Sequence, residues 1–211
     1  MSAAVRTVFV VDDDPSVRKS LARLLTSTGH RVDTFASAGE FLRRKGRPPG
    51  AACMILDLSM PEVGGLELQQ ALLDANFALP IVFATGHAQV PDSVRAMKLG
   101  AVDFLTKPVD EAHLLTAVAR ALALDEARAH ADAARMALAR RQGRLTPRER
   151  QVFSLVVTGM LNKQIAWRLG ASERTIKAHR ARVMQKMQAN SVAALVRMAD
   201  RLDSAAAGAA H

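Results

Sequence analysis

Short apolar runs alternate, in the first half of the chain, with segments whose apolar residues recur at helical spacing. The runs are rich in β-branched residues and lie at Val8–Val11, Arg31–Phe35, Ala52–Leu56, Ile81–Ala84 and Val102–Leu105. Between the first two runs, Val17, Leu21 and Leu25 recur about once per helical turn. Strands that alternate with helices in this way pair in parallel, because each crossover helix returns the chain to the same end of the sheet. The alternation predicts a parallel sheet built from βα units.

Five such units within about 120 residues are typical of an α/β, doubly wound, flavodoxin-like domain. Apolar residues keep helical spacing from Glu111 to Leu122, and the domain is predicted to occupy residues 1–123. The chain has no run of the roughly 20 apolar residues that span a bilayer. Its start carries no apolar segment typical of a signal peptide, and its lone cysteine, Cys53, excludes an internal disulfide. We therefore expect a cytoplasmic protein.

Polar side chains follow the predicted strands at their carboxyl ends, which form the edge where open α/β sheets bind ligands. They are Asp12, Asp13 and Asp14 after the first strand, Asp57 after the third, Thr85 after the fourth and Lys107 after the fifth. Converging carboxylates repel one another, so a hard cation such as Mg²⁺ is the expected occupant. The lysine and the hydroxyl suit a phosphoryl group, and an aspartate nucleophile opposite Mg²⁺ is typical of aspartyl phosphate chemistry. Any one of these residues alone is readily explained as an ordinary solvated loop residue, but the coincidence of six at one edge of the sheet favours a functional pocket.

The positive charge of the chain is concentrated in its C-terminal part. The net charge is +9, of which residues 145–211 carry +7, whereas residues 1–123 are neutral. This asymmetry is typical of a module that binds a polyanion such as nucleic acid. A merely solvated basic face is an equal alternative on charge alone.

Residues 124–143 are rich in Ala and Arg and predict an exposed helical linker, although a coiled-coil seam without a clean heptad is the alternative. A four-helix, all-α domain is predicted at residues 144–203, followed by a disordered tail at 204–211. It begins at Thr146–Glu149, where a capping box meets a proline at the first helical position. Asn162 and Ser172 are predicted to cap its second and third helices.

The third helix of this domain has two distinct faces. Ile176, Val183 and Met187 share one face and are expected to pack against the other helices. The opposite face carries cationic, amide and small side chains: Arg174, Lys177, Ala178, Ala181, Arg182 and Gln185. Such a face suits the major groove of DNA, because small residues let the backbone approach the bases. Asn162 and Lys163, at the start of the preceding helix, are expected to add phosphate contacts.

Three further side chains of this domain are predicted to be structural. Arg180 lies nearer the packed side of its helix, and an ion pair with Glu149 is expected. His179 points partly inward, as expected of a hydrogen-bonded structural residue. Trp167 is expected to pack in the core and not to serve as a platform for base stacking.

Four motifs in the first domain resemble, in their order and spacing, the receiver domain of two-component response regulators. They are VFVVDDDPSVRKSL, LDLSMPEVGGLEL, FATGH and GAVDFLTKP, within residues 5–123. The resemblance implies that Asp57 is the phosphoacceptor and that Pro108 follows a cis peptide bond. It also implies an Mg²⁺ ligand set: Asp12, Asp13, Asp57 and the main-chain carbonyl of Ser59. It implies that the following residues contact the phosphoryl group or switch conformation: Thr85, Phe104 and Lys107. The side chains of Ser59 and His87 would set the lifetime of the phosphoryl group.

The segment LTPRERQVFSLVVTGMLNKQIAWRLGASERTIKAHRARVMQKM resembles the tetrahelical helix-turn-helix of the NarL/FixJ (LuxR-type) regulators, over residues 144–202. The resemblance implies that Ser172–Met187 is the recognition helix and that the last helix serves dimerisation.

The chain is thus expected to be a phosphorylation-dependent, DNA-binding transcriptional regulator and not an enzyme. Its expected partners are a sensor histidine kinase, a promoter operator in double-stranded DNA, a second copy of the chain, and RNA polymerase.

Two alternatives compete with this interpretation. An aspartyl phosphatase or phosphotransferase would need a second acid/base carboxylate near Asp57, and Leu58-Ser59 offers none. An adaptor that acts without phosphorylation would not need the complete set of pocket residues.

Overall fold

The computed structural model describes residues 5–86 and 90–208, with side chains up to Leu202. His87, which the sequence connects with phosphoryl lifetime, lies outside the described residues, as do residues 209–211 of the predicted tail. The chain divides into two compact units, residues 1–129 and 130–211. In the described part of the chain, no helix combines the length and the apolar character needed to cross a bilayer.

The first unit contains a parallel sheet flanked by helices. Its strands within the described residues are β1 (Thr7–Val11), β2 (Arg31–Phe35), β3 (Ala52–Leu56), β4 (Ile81–Thr85) and β5 (Asp103–Thr106). Its helices there are α1 (Pro15–Ser27), α2 (Ala38–Leu42), α3 (Gly65–Asp74), α4 (Val90–Lys98) and the first part of α5 (Glu111–Gly143). The strand order is β2-β1-β3-β4-β5, and every pairing is parallel. The predicted doubly wound α/β fold is therefore confirmed.

The sheet is buried on both faces, because successive side chains along each strand point to opposite sides. In β1, Val8 and Val10 pack with Val118 and other residues of α5 in one cluster. Phe9 and Val11 enter the opposite cluster, which α2, α3 and α4 cover. This two-sided burial holds the central strands rigidly and fixes where their carboxyl ends lie.

Strand register aligns the residues that follow β1 and β3. Val11 is paired with Leu56, and the amide of Asp57 donates to the carbonyl of Val11 over 2.8 Å. The carbonyl of Thr85, at the end of β4, likewise accepts from the amide of Lys107 over 2.8 Å. The residues that follow the strands are thus joined by main-chain hydrogen bonds at one edge of the sheet.

Helix α5 runs without interruption through the segment predicted to be an exposed linker. That prediction is wrong at both ends of the segment, because Asp125 and Leu138 are buried. The carboxylate of Asp125 accepts from the Ala52 amide over 2.9 Å and pairs with Arg47, so this turn of α5 belongs to the first unit. Leu138 packs in the core of the second unit. Exposure is concentrated between residues 127 and 136.

The second unit packs the end of α5 with four further helices of the described chain. These are α6 (Pro147–Val157), α7 (Asn162–Leu169), α8 (Glu173–Met187) and α9 (Val192–Gly208). Val152, Ile165, Ile176 and Leu195, one from each helix, are fully buried in its core. Helix α9 continues to Gly208, so residues 204–208, predicted to be disordered, are helical.

The predicted N-cap residues are observed at the starts of α6 and α8, whereas α7 has a different N-cap. Thr146 forms the predicted capping box with Glu149, and Ser172 caps α8. The N-cap of α7 is Leu161, whose amide donates to Gln164 Oε1 over 2.8 Å, and Asn162 is the first helical residue. The prediction that Asn162 caps α7 is wrong, because the side chain of Gln164 already satisfies that helix start.

Glu149 and Lys186 join α6 to α8. The Lys186 ammonium lies 2.6 Å from Glu149 Oε2, and the same oxygen accepts from the Thr146 amide over 2.8 Å. Glu149 is only 2% exposed. The hydrogen bonds from Lys186 and Thr146 lower the pKa of Glu149 to about 2. The predicted Arg180–Glu149 ion pair is wrong, because Lys186 occupies the carboxylate and Arg180 instead donates to Asn162 Oδ1 over 3.0 Å.

This ion pair predicts how the stability of the second unit depends on pH. The pKa of Glu149 falls from an ordinary 4.5 to about 2 on folding, so its stabilisation is complete above pH 4.5 and is lost as the pH falls towards 2. We expect Glu149→Gln to lower the free energy of unfolding by about 2 kcal/mol at pH 7 and to converge with the wild type near pH 2. Urea denaturation followed by circular dichroism at several pH values measures both effects.

Glu173→Gln is the matched control, because Glu173 is exposed and lies 3.9 Å from Lys177 on the helix surface. Such a surface pair contributes about 0.5 kcal/mol or less. An equal loss in both variants, or a loss at Glu149 that does not change with pH, would contradict the assigned role of the Glu149–Lys186 pair.

Candidate functional sites

Three carboxylates converge at the carboxyl edge of the sheet. Asp12 follows β1 and is 2% exposed, Asp57 follows β3 and is 6% exposed, and Asp13 is exposed beside them. One carboxylate oxygen of each lies within 4.8 Å of the others. Oxygen ligands at this spacing suit a hard divalent cation, which keeps some of its own water ligands. The predicted acidic cluster is therefore assembled in the structure and could hold a metal ion.

Lys107 lies between the two buried carboxylates. Its ammonium nitrogen is 2.7 Å from Asp12 Oδ2 and 3.2 Å from Asp57 Oδ2. Burial raises the pKa of Asp12, and the hydrogen bond from Lys107 offsets only part of that effect. Burial alone would lower the pKa of Lys107, but its hydrogen bond to Asp12 and the charge of Asp57 raise it overall, so the amine stays protonated. One ammonium against three carboxylates leaves surplus negative charge for a cation to balance.

The loop after β1 is fixed by contacts of Arg18, to which the sequence assigned no role, and of Asp14, which the sequence placed among the carboxylates of the sheet edge. Arg18, on α1, donates to the carbonyl of Asp12 over 2.6 Å. Asp14 accepts from the amide of Ser16 over 2.7 Å and caps α1, and its own amide donates to Asp12 Oδ1 over 3.0 Å. The string Asp14-Pro15-Ser16 could have revealed this cap, since an Asx residue before a proline marks a helix start. No local pattern in the sequence indicates the contact of Arg18 with the Asp12 carbonyl.

The remaining residues predicted for the pocket differ from one another in burial. Thr85 is fully buried at the end of β4. Phe104 is half-buried on β5, with its ring centroid 6.0 Å from that of its register partner Phe83. The side chain of Ser59 is exposed, and its amide lies 3.5 Å from Asp57 Oδ1. The bond between Lys107 and Pro108 is cis, as predicted.

Gly65 is a further residue that the sequence did not single out. A Cβ atom at this position would lie 2.4 Å from the Asp57 carbonyl oxygen and 2.9 Å from the Phe83 ring. Only glycine lets α3 begin so close to the backbone of Asp57 and Leu58. The pair Gly64-Gly65 just before a helical pattern was the available signal, because helix interiors disfavour glycine.

The two faces of α8 are separated as predicted. Ile176, Val183 and Met187 are fully buried, which confirms the inward face. The six residues of the opposite face are all exposed: Arg174, Lys177, Ala178, Ala181, Arg182 and Gln185. The exposed surface of α8 is therefore cationic and amide-bearing, with small residues at its centre, and can approach a polyanion closely.

The start of α7 lies against α8. Asn162 is half-buried, and the hydrogen bond that it accepts from Arg180 joins the two helices. Lys163 is exposed and can reach a phosphate, whereas the amide oxygen of Asn162 is already engaged.

Two structural predictions for this domain are not met. His179 is only partly buried, and its Nδ1 atom is buried without a hydrogen-bond partner in the described structure, so the expected hydrogen bond is absent at that nitrogen. Trp167 is 87% exposed, so the prediction that it packs in the core is wrong.

Both parts of the chain match known families. The response regulator receiver domain matches residues 8–119. The luxR family of bacterial regulatory proteins matches residues 143–199. The first match includes the acidic cluster and Lys107, and the second includes α6, α7 and α8.

Curated relatives and solved structures extend the match over nearly the whole chain. Nodulation protein W of Bradyrhizobium diazoefficiens is 45% identical over 92% of this chain and 86% of its own length. Transcriptional regulatory protein FixJ of Rhizobium meliloti is 45% identical over 92% of this chain and 94% of its own length. The low-resolution structure of response regulator StyR has 45% identity and a TM-score of 0.84, covering 94% of this chain and 100% of that chain. The protein belongs to the two-component transcriptional response regulators of the FixJ type, with a receiver domain followed by a LuxR-type DNA-binding domain.

Proposed function

We propose that Asp57 accepts a phosphoryl group from the phosphohistidine of a sensor histidine kinase, and that this modification controls DNA binding by the C-terminal domain. The observation that carries the proposal is the cluster at the sheet edge, where the nearly buried Asp57 carboxylate lies 3.2 Å from the Lys107 ammonium and close to Asp12 and Asp13. Phosphoryl transfer depends chiefly on positioning and on neutralisation of charge, and these residues supply both.

The transfer begins with in-line attack of an Asp57 carboxylate oxygen on the phosphorus atom. A new O–P bond forms while the P–N bond to the donor histidine breaks, and the bonding electron pair returns to the imidazole nitrogen. Lys107 neutralises the oxygens of the transferred group and holds the Asp57 carboxylate in place before the transfer. Mg²⁺ bound by Asp12, Asp13, Asp57 and the main-chain carbonyl of Ser59 would supply further neutralisation of those oxygens.

Phosphorylation adds charge and hydrogen-bond acceptors at the end of β3. The hydroxyl of Thr85 moves towards the new phosphoryl oxygens. The ring of Phe104 then moves into the space that the Thr85 side chain has left. Phe104 is half-buried on an outer strand, so it has room to change its position without rebuilding the core. The proposed result is a reshaped surface of α4, β5 and α5, a two-state change biased by one local charge.

An enzyme that turns over an external phosphorylated substrate is not proposed. Such an enzyme needs an acid/base carboxylate next to the phosphoacceptor in addition to its metal ligands. Ser59, two residues beyond Asp57, carries a hydroxyl at the exposed mouth of the pocket. The phosphoryl group is therefore proposed to act as a signal and not as an intermediate of a catalytic cycle.

Phosphorylation at a single site is the direct test. Incubation of the full-length protein with acetyl phosphate and Mg²⁺ should add one phosphoryl group, visible by intact mass and removed by mild base, as expected of an acyl phosphate. Asp57→Asn should abolish the added mass, because an amide is a far weaker nucleophile than a carboxylate.

Asp74→Asn is the control, since Asp74 is an exposed aspartate at the end of α3. It should be phosphorylated as the wild type is. Added mass that persists in Asp57→Asn would mean that another residue is the acceptor.

The exposed face of α8 is proposed to enter the major groove of an operator, with Lys163 on a phosphate. The supporting observation is the separation of buried and exposed residues around α8, together with the charge of its exposed side. We further propose that the protein acts in the cytoplasm as a phosphorylation-promoted homodimer that engages RNA polymerase at the promoter. Dimerisation would match a two-fold related pair of half-sites.

Substitutions on α8 test this surface. Lys177→Ala and Arg182→Ala should each weaken DNA binding by about tenfold, since each removes a cationic contact. If the replaced side chain contacts a phosphate, its substitution should also reduce the magnitude of the slope of log affinity against log salt by about 1. Fluorescence anisotropy of a labelled duplex at several salt concentrations gives both quantities.

Arg140→Ala removes the same charge from an exposed position on α5 and serves as the control. Its affinity should stay close to that of the wild type. Equal losses in all three variants would show that binding depends on net charge alone and not on the face of α8.

A further inference from the structure

Trp167 has the most exposed of the large apolar side chains described, at 87% of its surface. Tryptophan is normally well buried, because its ring carries the largest apolar area of any side chain. Its exposure here follows from the phase of α7. Ile165 and Leu169 pack in the core, and Trp167 lies two residues, or about 200°, from each of them. The ring therefore projects away from the domain.

The surroundings of Trp167 on α7 are basic. Lys163 lies one helical turn earlier on the same face, and Arg168 is the next residue. Helix α7, Asn162–Leu169, contains no acidic residue. This charge favours a polyanion as the occupant of the exposed face, in preference to a neutral or basic protein surface.

The start of α7, next to Lys163, adjoins α8, the helix that carries the proposed DNA-binding surface. The hydrogen bond between Asn162 and Arg180 holds the start of α7 against α8. In helix-turn-helix proteins the first helix of the pair crosses the sugar-phosphate backbone while the second lies in the groove. In that arrangement, side chains that share the exposed face of α7 with Lys163 are candidates for contact with the backbone that flanks the groove.

We propose that Trp167 is a DNA-backbone contact, in which the indole ring packs against a deoxyribose and Nε1–H donates to a phosphate oxygen next to the one bound by Lys163. Tryptophan combines a flat apolar surface with one N–H donor, which matches the sugar and the phosphate of a single nucleotide. The contact positions the domain and is independent of base sequence. This inference rests on the proposed binding of DNA by α8 and extends that surface to α7.

The composition of the chain makes the test direct, because Trp167 is its single tryptophan and it has no tyrosine. The full-length protein is titrated with a mixed-sequence duplex about 30 base pairs long, roughly three helical turns. On binding, the tryptophan emission should shift to shorter wavelength and become protected from quenching by iodide.

Trp167→Ala should weaken binding about tenfold, with an unchanged salt slope because no charge is removed. Lys163→Ala should reduce the magnitude of the salt slope by about 1.

Two further variants separate the ring from its donor and from general apolar exposure. Trp167→Phe keeps a ring but loses the N–H, so its affinity should lie between those of the wild type and Trp167→Ala. Met136→Ala removes another exposed apolar side chain, 59% exposed on α5, and should bind as the wild type does. Circular dichroism checks that each variant is folded, as the high exposure of both positions predicts.

The outcomes distinguish this inference from the proposed function. If Arg182→Ala weakens binding while Trp167→Ala does not, and the emission does not change, the backbone contact is overturned and DNA binding by α8 stands. A Trp167→Ala variant that binds DNA normally but fails to activate transcription in vitro would also overturn it, in favour of a protein partner such as RNA polymerase. If the wild type binds no duplex under any condition, both the contact and the DNA-binding role of α8 are overturned together.

Discussion

The contact of Lys107 with Asp12 and Asp57 is the interaction on which the first domain depends. Two nearly buried carboxylates would repel each other and resist burial, and a single ammonium 2.7 and 3.2 Å away makes their proximity tolerable. The three groups come from the ends of β1, β3 and β5, so their meeting requires the parallel sheet and its register. The same arrangement leaves negative charge in excess, which a divalent cation at this edge could balance.

The second domain uses a buried charge for a different purpose. Glu149 accepts hydrogen bonds from Lys186 and from the Thr146 amide, and through Lys186, which lies at the border between the buried and the exposed face, it joins α8 to α6. The inward residues of α8 then set its rotation, so the cationic residues can face only outward. The proposed DNA-binding face is thus held in place by the core beneath it. In both domains an apolar scaffold positions a few charged groups, and the function proposed for each domain depends on those groups.

The sequence was informative where a residue's role follows from periodicity. Short apolar runs rich in β-branched residues predicted the sheet, and helical spacing of apolar residues predicted the helices and the inward face of α8, because burial of apolar residues is a strong and local signal. The predictions were wrong where a side chain could pair with more than one neighbouring group. Arg180 donates to Asn162 and not to Glu149, because Lys186, nearly two turns further along α8, occupies that carboxylate. Trp167 was expected in the core, but on α7 it lies on the side opposite to the packed residues Ile165 and Leu169.

The sequence by itself determined the two-domain organisation, the α/β and all-helical classes, and the set of polar residues at the carboxyl ends of the strands. These follow from composition and spacing, which act locally along the chain. Only the tertiary structure decided that Lys107 bridges Asp12 and Asp57, that Gly65 must lack a side chain to fit beside Asp57, and that Trp167 faces outward. Each of these depends on distances between segments far apart in the chain, and those distances are set by strand register and helix packing.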